Sequence, residues 1–170
     1  MGYTTDFVGY VSVDPPLNRD ECEYLSAFAQ TRRWFRPQGP YIVLDNPYVD
    51  EPHEDINRYN RPWPGEPGLW CPWKPCLDGE DITWDGLEKP YAPVEWMRYL
   101  IHHFIKPSAL ASKTGLPYFS GFTFDHTVNG TIVGCERTLM PGVAEEEVWG
   151  PLPYQSAIDE ARPARRKRRT

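Results

Sequence analysis

The side chains best suited to hold a metal are four cysteines and four histidines. Cys71 and Cys76 stand in a C-x4-C spacing, His102 and His103 are adjacent, and His53, His126, Cys22 and Cys135 lie elsewhere. Thiolates and imidazoles in such numbers are what a tetrahedral zinc ion takes. A closed zinc site needs a second ligand pair of matched spacing, and none follows the first. Neighbouring histidines on a helix also point about 100° apart. The expectation is therefore no cofactor, with Cys71 and Cys135 as small core residues and the paired histidines exposed at a helix C-terminal end, where the helix dipole favours them. A metal at Cys71 and Cys76 is kept as the alternative.

A second chemistry is open to Asp78, Asp81, Asp85 and Glu88, which fall close together. Paired carboxylates carry out glycoside hydrolysis or hold a catalytic metal. An acidic, solvated turn explains the same cluster. Nucleophilic catalysis has less support, because no G-x-S-x-G occurs and no cysteine sits in a Cys-His signature. Neither G-x-G-x-x-G nor a Walker motif offers a nucleotide site.

The densest unusual feature is aromatic. Tyr59, Trp63, Trp70, Trp73, Trp84, Tyr91 and Trp96 fall within residues 59–96, with Asn60 and Arg61 beside the first of them. On an extended arm Trp70 and Trp73 point to opposite faces, so they do not enter one core together. Tyr and Trp at a surface are typical of binding faces, since they offer large contact area at little entropic cost. The candidate binding residues are therefore Tyr59, Asn60, Arg61, Trp63, Trp70, Trp73 and Trp84.

Several elements must position these groups. Alternation of Phe7, Gly9, Val11 and Val13 with Val8, Tyr10 and Ser12 predicts a strand over about residues 5–13. Asn18 followed by Glu21 has the form of a capping box and opens a helix over about residues 19–31, with Cys22, Leu25, Phe28 and Ala29 inward. Tyr41-Ile42-Val43-Leu44 predicts a second strand. Residues 69–73 and 81–84 predict a hairpin turned by Pro75 and Asp78-Gly79. Pro93 at a first helical position, then Val94, Met97, Leu100, Ile101, Phe104 and Ile105, predict a helix that Pro107 ends. Asn129-Gly130 between residues 121–128 and 131–137 predicts another hairpin. Nineteen prolines in 170 residues demand long irregular connections, above all over residues 45–68. The order favours an α+β fold, a small antiparallel or mixed sheet with two helices packed on it.

Net charge divides sharply along the chain. Six of the 18 basic residues fall within 162–170, leaving 12 bases against 24 acids, a balance of −12 over residues 1–161. An acidic body disfavours DNA or anionic lipid on its surface, so nucleic acid is expected only through the basic tail. The expected organisation is one domain over residues 1–154 and a disordered basic tail over 155–170. No apolar run approaches the roughly 18 residues of a membrane span, and no signal peptide opens the chain, so a cytoplasmic location with reduced thiols is expected.

Some of these motifs are specific as a string: Gly2-Tyr3-Thr4-Thr5-Asp6-Phe7, Tyr59-Asn60-Arg61-Pro62, Gly65-Glu66-Pro67-Gly68-Leu69-Trp70-Cys71-Pro72-Trp73, Trp84-Asp85-Gly86-Leu87-Glu88-Lys89, Glu95-Trp96 and Tyr99-Leu100-Ile101. The series, over about residues 2–135, resembles a group of short uncharacterised proteins of bacteria, notably actinobacteria, and their phages. That resemblance implies no activity. Members of the group finish on a further strand, whereas this chain continues in Pro-rich and basic sequence, which leaves open whether residues 138–154 complete the sheet. The leading functional reading is a non-enzymatic binding or regulatory protein that meets a protein or small ligand at the aromatic face. A small hydrolase using residues 78–88 or a metal at Cys71 and Cys76 is the alternative, and an acidic DNA-mimic inhibitor a further one.

Overall fold

The computed structural model describes residues 4–8, 10–44, 55–86, 91–137 and 144–149. The expected tail, Glu88 and His53 lie outside these residues. The fold is α+β, with every strand pairing antiparallel. Its elements are β1 (Thr4–Val8), β2 (Tyr10–Asp14), α1 (Arg19–Gln30), the single turn α2 (Ile56–Tyr59), β3 (Trp73–Pro75), β4 (Asp81–Trp84), α3 (Pro93–Leu100), β5 (Thr127–Gly130), β6 (Ile132–Arg137) and β7 (Ala144–Trp149).

One sheet has the order β3-β4-β2-β5, the other β1-β6-β7. Val8 pairs with Val133 and Val11 with Gly130, so β1 with β6 and β2 with β5 keep the same antiparallel offset in the two sheets. This corrects the hairpin expected at Asn129-Gly130. Asn129 and Gly130 lie within the strand, opposite Ser12 and Val11, and the Ser12 hydroxyl donates to the Asn129 carbonyl at 2.7 Å. Their turn chemistry is overridden by the long-range partner, and residues 121–126 stay irregular. In the second sheet β7 pairs with β6 and completes it within residues 138–154.

The hairpin of β3 and β4 forms later than expected, with Trp73 opposite Trp84. Pro75 is inside β3, which tolerates it as an edge strand, and residues 69–72 are irregular. Gly79 has φ +72°, and a Cβ there would run into the Leu17 carbonyl, so the turn packs onto the α1 entry only with glycine. Residues 41–44 form no strand. The Ile42 carbonyl accepts from the Arg33 guanidinium at 2.7 Å, and Leu44 N–H donates to the Thr31 hydroxyl at 3.2 Å, so side chains satisfy this backbone in place of a ladder.

The capping box on α1 is present: Asn18 Oδ1 accepts from Glu21 N–H at 3.0 Å and Asn18 N–H donates to Glu21 Oε2 at 2.8 Å. The same glutamate has a second use. Its Oε1 accepts from Thr123 N–H at 2.8 Å and from His126 Nε2 at 3.0 Å, while His126 Nδ1 donates to the Pro15 carbonyl at 2.7 Å. Both ring nitrogens face acceptors, an arrangement that favours the protonated ring. Burial disfavours its charge, yet the Glu21 carboxylate and the Pro15 carbonyl together hold its pKa above the ordinary value. Burial also pushes Glu21 up, and the bonds from His126, Thr123 and Asn18 outweigh it and leave the carboxyl lowered.

The core lies between the β3-β4-β2-β5 sheet and the two helices. Val11, Val13, Trp73, Ile82 and Val128 meet Leu25 and Phe28 of α1 and Met97 and Leu100 of α3. Past Leu100 the helix widens into a π turn over Ile101–Ile105, closed by Lys106 N–H on the Ile101 carbonyl at 3.1 Å, and buries Phe104 and Ile105. Leu100 is only 2% exposed, so Leu100→Ala should lower unfolding free energy by about 2–5 kcal/mol in urea titration. His126→Ala should remove about 3–5 kcal/mol near pH 5.5, because it strands a buried carboxylate. The raised histidine contributes fully below its unfolded pKa of 6.5 and ceases to as pH climbs through its folded value. The lowered Glu21 contributes above 4.5 and ceases to as pH falls through its folded value. The gap between wild type and His126→Ala should accordingly narrow above neutrality in parallel urea titrations.

Candidate functional site

The aromatic cluster divides between interior and surface. Trp73 is 1% exposed, and its indole donates to the Pro93 carbonyl at 2.7 Å. Trp84, opposite it in register, is half-buried against the same core, and Trp96 is fully buried. Trp73 is thus corrected to a packing residue, since β3 lies against the helices and the core takes its ring, while Trp84 is only partly enclosed by that core. Tyr59, Asn60, Arg61, Trp63 and Trp70 gather at another place, beside the end of α1.

What gathers them is the segment after α1, whose role the reading of the sequence missed. Trp34 and Pro62 form an isolated antiparallel bridge, with Phe35 N–H donating to the Arg61 carbonyl at 3.1 Å and Trp63 N–H to the Arg33 carbonyl at 3.2 Å. This clip sets two layered stacks side by side. In one, the Arg32 guanidinium lies 4.4 Å from the Tyr59 ring centre and 5.7 Å from that of Trp70, and donates to Asn60 Oδ1 at 2.8 Å. In the other, Phe35 stacks on Trp63 at 4.5 Å and 9°, with the Arg58 guanidinium 5.0 Å from Phe35. Trp70 remains 44% exposed. The signal for this surface was Arg32-Arg33-Trp34-Phe35-Arg36, where arginines and aromatic rings stand together just past a helix end.

Beneath the stacks Arg33 is buried with Glu66, at 3.1 Å and each side chain 1% exposed. Arg33 also donates to the carbonyls of Pro40 and Ile42, packs its guanidinium 4.0 Å from the Phe28 ring, and gives its own N–H to the Leu69 carbonyl. It therefore ties α1 to the segments 40–42 and 66–69. Glu66 Oε2 has no hydrogen-bond partner among the described residues. Burial pushes its carboxyl up to about 7 despite the guanidinium beside it.

The other candidates are not brought together. The Cys71 thiol points into the core at the Trp73 carbonyl, 3.6 Å away, and burial pushes it up to about 12. Cys76 faces the Thr83 hydroxyl at 3.8 Å and neighbours Cys22, whose thiol lies 3.9 Å from the Cys76 carbonyl. Among the described residues no group of three or more His, Cys, Asp or Glu is placed to hold a metal. His102 is exposed beside Lys106, whereas His103 stacks on Tyr99 at 3.8 Å and accepts from the Tyr41 hydroxyl at 2.7 Å. Burial, with His102 and Lys106 adding to it, pushes His103 down to about 4, so it is neutral at pH 7. The carboxylates separate too. Asp78 lines a groove between α1 and the β3–β4 turn, whereas Asp81 lines a different cleft with Asp14 and Glu80. No helix among the described residues is long and apolar enough to cross a membrane.

Replacing Arg33 by Met should cost about 3–5 kcal/mol by urea titration, since it leaves a buried carboxyl and two carbonyls without their donor. Glu66→Gln should act through pH. A carboxyl raised to about 7 from 4.5 contributes below 4.5 and loses that contribution as pH rises to 7, so the variant should lack the wild type's fall in stability across that interval. No family model, curated protein or solved structure matches this chain.

Proposed function

We propose that this chain is a non-enzymatic binding or regulatory protein whose partner meets the face built from Arg32, Tyr59, Asn60, Arg61, Trp63 and Trp70. The observation that carries the reading is Trp70, a large apolar ring left 44% exposed yet neighboured by a guanidinium that also lies over Tyr59. An exposed ring already fixed in place loses little freedom on binding, and tryptophan, tyrosine and arginine are the side chains that most often dominate an interface. The clip between residues 33–35 and 61–63 supports the same reading, because it holds both stacks on one backbone platform.

The Glu21–His126 pair does not favour an enzyme. Both side chains are 1% exposed, and each ring nitrogen of His126 already has an acceptor within the fold. It is a structural ion pair.

Comparison of two tryptophans tests the proposal. Trp70→Ala should leave the melting temperature nearly unchanged and weaken capture of the wild type's partner from lysate by roughly thirtyfold, the effect of losing an anchor of about 2 kcal/mol. Trp73→Ala should instead cost about 3–5 kcal/mol of stability. A folded Trp70→Ala variant that captures its partner as well as wild type does would overturn the reading.

A further inference from the structure

We propose that the cleft beside the stacks takes the carboxylates of a short acidic peptide segment on a protein partner. This rests on the reading of the face as a binding surface and names what that surface recognises. Five of the 12 basic residues within 1–161 are Arg32, Arg33, Arg36, Arg58 and Arg61, and all five lie at this face or directly beneath it. Arg33 and Arg36 are buried, and Arg32, Arg58 and Arg61 bring positive charge to this face of a body whose balance is −12.

Within that region two arginines differ from the rest. Arg33 is spent on Glu66, and Arg32 on Asn60 and the Tyr59 carbonyl. Arg58 and Arg61 have no carboxylate partner among the described residues, and both line a cleft of about 390 Å³ with Phe35, Asn57 and Pro64. Asp55, the one acid lining it among the described residues, turns Oδ1 to the N–H groups of Asn57 and Arg58. The two arginines are also placed in advance. Arg61 N–H donates to the Arg58 carbonyl at 3.1 Å, the Arg61 carbonyl is held by Phe35, and the Arg58 guanidinium lies over the Phe35 ring. Guanidinium forks match carboxylate geometry, and the ring beneath Arg58 and the pinned backbone of Arg61 reduce the entropy lost on binding.

Charge and size select the class of ligand. A phosphate backbone also suits arginine and aromatic rings. It would extend past the cleft onto an acidic body that repels it. A cleft at the small end of ligand sites admits one or two side chains. A short acidic segment places its charges there alone and leaves its intervening apolar side chains to Trp63 and Trp70.

The test is calorimetric titration of the full chain with three probes: an end-capped decapeptide of glutamate carrying two leucines, the same peptide with glutamine for glutamate, and a ten-nucleotide oligothymidylate. The glutamate peptide should saturate one site, weaken as salt rises, and bind at least tenfold more tightly than either other probe. Arg61→Gln, at an exposed position, and the double variant with Arg58→Gln should each lose at least tenfold in affinity for it, with melting curves checking that the fold is kept. Equal binding of the two peptides, tighter binding of the oligonucleotide, or unchanged affinity in folded Arg61→Gln would overturn the proposal. Should Arg61→Gln and the double variant keep partner capture that Trp70→Ala loses, the binding face stands and the acidic-peptide reading falls. Should all of them keep it, both readings fall.

Discussion

A guanidinium buried where no water reaches must find its acceptors in the protein, and around Arg33 that demand organises the irregular half of the molecule. Its donors reach Glu66 and the carbonyls of Pro40 and Ile42, its backbone joins Leu69 and Trp63, and its flat face covers Phe28. These partners lie in segments with too many prolines and turns to pair as strands. In a chain with 19 prolines many backbone carbonyls have no ladder to join, and one arginine with five N–H donors serves several at once. The exposed stacks above depend on this. Arg32 and Trp34 are its chain neighbours, and the clip to residues 61–63 closes through its own carbonyl.

The regular half has its own polar lock. Glu21 begins as a local device, the third residue of a capped helix, and ends as a long-range one through Thr123 and His126. Each of the two locks pairs a buried cation with a glutamate, and each joins the α1 region to a loop distant in sequence. At Glu21 four donors share the carboxylate and its charge is favoured; at Glu66 one oxygen lacks a partner and its charge is disfavoured. Burial is the largest influence on both carboxyls; it prevails at Glu66, whereas more hydrogen bonds oppose and outweigh it at Glu21.

Local signals in the sequence were faithful where one element decided its own shape. The capping box at Asn18 and Glu21 and the opening of a helix at Pro93 read correctly, and the strand expected over 5–13 is present as two, β1 and β2, in different sheets. They failed where a distant partner decided. Asn129-Gly130 is a strong turn pair, but Ser12 and Val11 claim it for a ladder, and the β-branched run at 42–43 yields to Arg33. The site was half legible. Tyr59, Asn60, Arg61, Trp63 and Trp70 share one surface, whereas Trp73 was misplaced because the strand phase sets inward against outward and β3 begins at Trp73 itself. Arg32-Arg33-Trp34-Phe35-Arg36 was overlooked because charge beside aromatic rings after a helix has no period to betray it.

The pairings of β1 with β6 and of β2 with β5 join segments far apart in the chain, which bears on when each can form during synthesis. Among the described strands β1 has its partner only in β6, so nearly the whole described chain must be translated before that pairing can form. Until then β2 can meet only β4, and β1 has an open edge on both sides. Closing so long a loop is entropically costly and slow. The helices, the β3–β4 hairpin and the Arg33 lock all lie inside that loop, and each can form on the nascent chain before those pairings close around them.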